Sequence, residues 1–171
     1  MALICNHGLQ TVSLKELPSP YGTEKYLGFT KIDPFVQKEI ITINELTIRV
    51  MISLGGYASE ILFSESANIG GDDLTAAVRW IQQMMQAEEF RRWAITLPIP
   101  KTHAFRMIED PTIRAVVDDR LRKCIMTLEP LMPVVRVIAE HLYKGEELDG
   151  KIVTEYFESF VSEGRNSTSS D

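Results

Sequence analysis

Cysteine is scarce in this chain. Cys5 and Cys124 are the only two among 171 residues and lie far apart. That excludes a disulfide framework and a cysteine-based zinc knuckle, and it suits a reducing compartment. Histidine is little better represented: His7, His103 and His141 include no two spaced four apart, so the sequence holds no H-E-x-x-H. No G-x-x-x-x-G-K-[ST] phosphate loop occurs either. Positive charge is short as well, with 24 acids against 18 bases and a net charge of −6. Without a basic stripe interleaved with aromatics, nucleic acid is not an expected partner. No unbroken apolar run approaches the roughly 18 residues that span a bilayer, so no membrane segment is expected. The opening MALIC is short and uncharged, unlike a secretion signal. Together these absences place the expected location in the cytoplasm.

What is present is a foldable chain. Hydrophobic residues make up 44% of it, enough at this length to bury a core. One domain is expected over residues 1–163, followed by a polar tail at 164–171, a composition that favours disorder. Residues 11–32 read as a hairpin: Val12 and Leu14 alternate with polar neighbours, Pro18 to Gly22 is a turn, and Tyr26 to Phe29 is the returning strand. Everything after Pro34 reads as helical. Leu46, Val50, Leu54, Ala58 and Ile61 stripe one helix over 44–63, and Leu74, Ala77, Val78, Ile81 and Met85 a second over 73–88. Pro98 and Pro100 mark an irregular connection, and Asp110-Pro111 is a helix start. The stripe Ile113, Val117, Leu121, Cys124, Leu128 follows. Pro130 and Pro133 interrupt the pattern before Val135, Ile138 and Leu142, and a last helix carries Ile152 to Phe160 behind Asp149 as its cap. The fold class expected is mainly α within α+β: a helical bundle with one small N-terminal β-hairpin.

The informative stretch is LGGYASEILFSESANIGGDDLTAA, residues 54–77. Glycine inside a helix costs about 1 kcal/mol relative to alanine, so Gly55-Gly56 points to a close approach by a neighbouring backbone. Asp72 and Asp73 open the next helix. Acids there gain from the helix dipole and the free N–H groups, and a carboxylate in that place is also able to serve as a metal ligand. Trp80, Phe90, Trp93 and Phe105 gather around the 90–110 connection, either closing the core beneath a long loop or marking a partner groove. His7 reads as a surface or hairpin residue, His103 as a loop residue, and His141 as a solvated residue on the polar side of its helix.

Taken in order, these residues resemble the proteolytic domain of FtsH-type ATP-dependent zinc metallopeptidases. Gly55, Gly56, Ala58 and Glu60, followed by Asp72, Asp73, Leu74, Thr75 and Ala76, resemble the family's Gly-Gly helix and its later Asp-bearing helix start. Leu27 to Thr30 resembles the second strand of its hairpin, and Leu131 to Phe157 its last two helices with a Leu-Asp/Thr-Gly turn between them. The resemblance runs over roughly residues 10–160. It implies an FtsH-peptidase-like fold, and it places the third zinc ligand of the family on Asp73, with Gly55, Gly56, Glu60 and Asp72 as its surrounding motif. The two histidine ligands and the general-base glutamate fall on nothing in this chain. Tyr57 stands where the family carries arginine, and Ile61 where it carries a second acid. The expectation is therefore a metallopeptidase-type domain without a complete zinc site: no catalytic residue, no cofactor, and a role as a scaffold for a protein partner or a second copy. Zinc is expected only if an H-E-x-x-H helix lies upstream of Met1, which would make the chain a fragment of an active zinc metalloendopeptidase. An unrelated helical interaction domain is the remaining alternative.

Overall fold

Thr42-Ile43-Asn44-Glu45 is a helix start written into the chain. The Thr42 hydroxyl accepts from the Glu45 N–H at 3.2 Å, and the Glu45 carboxylate accepts from the Thr42 N–H at 2.9 Å. This reciprocal pairing satisfies two of the N–H groups that a helix start leaves open. From it α1 runs over Ile43–Ser64. The computed structural model describes residues 9–13, 17–18, 25–26, 29–32, 41–64, 71–100 and 105–167. They form two compact units, one helical and one built from strands and the last two helices.

The first unit holds α1, α2 (Gly71–Met84), α3 (Glu88–Ala94) and α4 (Pro111–Leu128). Asp110 caps α4: its carboxylate accepts from the N–H groups of Thr112 at 2.7 Å and Ile113 at 3.2 Å, with Pro111 at the first helical position. The expected stripe of α4, from Ile113 through Val117, Leu121 and Cys124 to Leu128, is buried throughout. Leu46, Val50, Leu54 and Ala58 bury the matching face of α1, which packs against α2 and α4. In α2 the core residues are Ala77, Ile81 and Met84; Met85, expected in the stripe, lies past the helix end and is only half-buried. The helix stops at Met84 rather than 88, and a separate short helix, α3, begins there. Phe90 and Phe105 are buried, so these two aromatics close the core of this unit. Trp93 is half-buried, with the Arg120 guanidinium 4.9 Å and the Lys123 ammonium 5.9 Å from its ring centroid. Burial holds the Arg120 guanidinium below its ordinary pKa, while Asp119 and Cys124 act in the opposite direction.

The second unit is organised on a three-stranded antiparallel sheet. Its strands are β1 (Leu9–Ser13), β4 (Phe29–Ile32) and β5 (Leu148–Asp149), in the order β4-β1-β5. A smaller pair, β2 (Leu17–Pro18) with β3 (Lys25–Tyr26), continues the hairpin. Val12 pairs with Thr30 and Ser13 with Phe29, with an irregularity between Leu9 and Thr11. The hairpin is thus present; its turn at 19–24 and residues 27–28 lie outside the described residues. A 3-10 turn over Glu129–Leu131 leads into α5 (Met132–Tyr143), and α6 follows over Gly150–Ser167. Leu142, Leu148 and Val153 form a small core with Leu9, Val12 and Ile138 packed on it.

Three further sequence expectations change. The chain after Pro34 is not wholly helical, because Thr11 and Val12 pair with Asp149 and Leu148. Two residues flanked by Gly145 and Gly150 carry too little pattern to read as a strand; they become one because β1 offers an open edge. The helix α6 reaches Ser167, into the stretch that reads as tail. Finally, Ile43–Phe63 is long and apolar enough to cross a membrane by length and composition, although no single apolar run within it is. Glu45 and Arg49 interrupt the runs without offsetting the average. The same composition serves a core helix, and four of its residues fill the core of the first unit.

Candidate functional site

Three of the five motif residues sit where α1 passes the start of α2. The helix continues through both glycines. Gly55 is buried, and its carbonyl accepts from the Ser59 hydroxyl at 2.9 Å. Gly56 faces outward, and a Cβ built on it would stand 4.0 Å from Oδ2 of Asp73. Asp73, in the first turn of α2, is exposed. The fold therefore brings the Gly-Gly helix and the Asp73 carboxylate to van der Waals distance, although seventeen positions separate them in sequence. Glu60 lies one turn further along α1 and is exposed. Asp72 belongs to the backbone of α2, and its side chain lies outside the described residues.

Beside this junction Tyr57 meets Phe105 edge to face, with ring centroids 5.6 Å apart at 66°. Burial, and secondarily the charge of Glu60, holds the Tyr57 phenol above its ordinary pKa. Phe105 is fully buried with φ of 63°, a conformation a bulky residue adopts only when its surroundings impose it. A cleft of about 670 Å³ runs along α2 between Leu74 and Gln82. Leu74, Val78 and Arg79 line one side; Met107, Ile108 and Ile113 line the other. Leu74 and Val78, read as core from their spacing, are half-buried walls of this cleft.

The fit to a catalytic zinc can be judged on the donor set. Such a site takes three protein ligands and keeps one position open for water. Among the described residues, no group of three His, Cys, Asp or Glu side chains is placed to hold a metal ion. His7 and His103 lie outside the described residues, and His141 belongs to the second unit. His141 is not simply solvated: its two ring nitrogens meet Glu146 and Tyr156. The described residues around Asp73 do not make a zinc centre. What they supply is one carboxylate at a helix start, able to accept hydrogen bonds or attract a cation.

Sequence reasoning missed the Thr42–Glu45 cap, which the pattern T-x-x-E signals directly, and α3, whose Glu88-Glu89 start signals it more faintly. It also missed the His141 trio, for which no local spacing rule exists. In comparison with known proteins, no protein-family model matches the chain and no curated protein matches its sequence.

Proposed function

We propose that the chain is an FtsH-peptidase-like domain that does not hydrolyse peptide bonds as this polypeptide, and that it works as a protein-interaction scaffold in the cytoplasm. The observation that carries the reading is the adjacency of Gly56 and Asp73. These belong to the two motifs on which the resemblance rests, and they meet across α1 and α2. The N-terminal hairpin and the Leu148-Asp149-Gly150 segment, here a short strand leading into the last helix, lend support because they occur in the order the resemblance implies. The absence of hydrolysis rests on the sequence: it has no H-E-x-x-H, hence no pair of histidine ligands and no general base of that kind. The cleft along α2 is the surface this reading makes available to a partner. The cytoplasmic setting rests on the sparse cysteines, of which Cys124 is buried.

The test is direct. The purified chain is incubated with casein, with and without ATP and zinc, and no cleavage is expected. Chelator should leave the melting temperature unchanged. Asp73→Ala should cost no more than the roughly 0.5–2 kcal/mol of a lost helix-start residue. Chelator-sensitive cleavage, or one zinc per chain that disappears in Asp73→Ala, would overturn the reading, since a bound structural metal is coupled to folding.

A further inference from the structure

A polar trio in the second unit plays no part in the proposed scaffold. His141 lies in the last turn of α5 and has both ring nitrogens engaged. Nδ1 is 2.7 Å from Oε2 of Glu146, and Nε2 is 3.2 Å from the phenolic oxygen of Tyr156 on α6. The imidazole and phenol rings stand 5.6 Å apart, inclined at 32°. The backbone sets this up. Gly145, at φ of 83°, turns the chain back at the end of α5, and the Glu146 N–H then donates to the His141 carbonyl at 3.3 Å. Glu146 is thus tied to His141 through both backbone and side chain.

The carboxylate decides the tautomer. An ionised carboxylate only accepts, so the proton of the neutral ring sits on Nδ1 and the lone pair on Nε2. The phenol of Tyr156 then donates to Nε2. Carboxylate, imidazole and hydroxyl in that order are the parts by which an adjacent base activates a hydroxyl nucleophile.

We propose that Tyr156 is a base-activated phenol, a site at which this chain takes up an acyl group from an activated ester. The phenolic oxygen attacks the ester carbonyl carbon, and its proton passes to Nε2 of His141. The tetrahedral intermediate collapses with cleavage of the bond to the leaving alkoxide or phenoxide, leaving O-acyl-Tyr156. The imidazolium then releases its proton to that leaving group or to water, and nothing is oxidised or reduced. Glu146 is a positioning residue: it holds the imidazole in the useful tautomer and faces the positive charge that forms on it. The trio is accessible, with the side chain of His141 30% and that of Glu146 49% exposed.

Tyr143 supplies an internal control. It is 88% exposed, whereas Tyr156 is half-buried, so exposure alone makes Tyr143 the faster to react. The full chain is treated with limiting p-nitrophenyl acetate, and acetylation of each tyrosine is followed by peptide mass spectrometry. General-base assistance is worth about 10²–10⁴-fold, so Tyr156 should be acetylated at least about tenfold faster than Tyr143 despite its burial. Glu146→Gln should slow labelling of Tyr156, and His141→Gln should abolish its lead. Faster labelling of Tyr143 in the unmodified chain would sink the proposal, and that comparison needs no variant to fold. Undiminished labelling of Tyr156 in a natively folded His141→Gln chain would sink it equally.

Discussion

The α-carbon of Gly150 lies so close to the Leu9 carbonyl that a Cβ placed on it would overlap that carbonyl and stand 3.0 Å from the Gln10 nitrogen. The start of α6 therefore rests on the backbone of β1, beside the Thr11–Asp149 and Val12–Leu148 pairing.

Gly150→Ala should accordingly be among the most damaging single-methyl changes in the chain. Backbone cannot swing aside as a flexible side chain does. A loss at or above the upper end of the roughly 1–3 kcal/mol typical of overpacking is expected. Urea unfolding of the variant against the parent measures it, and an unchanged midpoint would refute the close approach.

The Gly-Gly pair should split by position. At Gly56 a Cβ makes an ordinary contact 4.0 Å from Asp73, so Gly56→Ala should stabilise the helix by up to about 0.5–1 kcal/mol. Gly55 is buried, and Gly55→Leu should cost about 1–3 kcal/mol or more. Melting temperatures moving in opposite directions would show the two glycines doing different work; a shift of the same sign in both would not fit the geometry.

Asp110→Ala removes the acceptor for the Thr112 and Ile113 N–H groups. A destabilisation of about 0.5–2 kcal/mol is expected, and Asp110→Asn should recover most of it. Chemical denaturation of the three chains is the measurement.

Tyr57 gives a dependence on alkaline pH. Its folded pKa lies above the unfolded one, through burial first and Glu60 second. The contribution is complete below the ordinary tyrosine value of about 10 and is lost as pH climbs toward the higher folded value. Tyr57→Phe has no such loss. Its urea midpoint relative to the parent should therefore improve between about pH 8 and about pH 11; a constant difference would contradict the raised pKa.

Much of this fold is legible because it rests on local rules. The α4 stripe needed only spacing, and its start needed only Asp110 before Pro111. The hairpin needed alternation and a turn. What was not legible depends on partners distant in sequence: β5 exists because β1 is there to receive it, and Gly150 is glycine because of Leu9. Within the candidate site, the composition of the Gly-Gly helix and of the Asp73 start was readable, but not which glycine would face the carboxylate. The His141 trio was hidden because its members are joined by a turn and by a second helix rather than by a helical repeat.

The second unit takes β1 and β4 from one part of the chain and β5, α5 and α6 from another, with the whole helical unit encoded between them. During synthesis, the hairpin emerges early and must wait for Gly150 and Val153 before its sheet edge and small core can close. The helical unit is encoded in full by Pro130. At a few to tens of residues per second this interval lasts on the order of seconds, long compared with the microseconds in which a hairpin forms. Until then β1 carries an open edge that is exposed to pairing with the wrong strand.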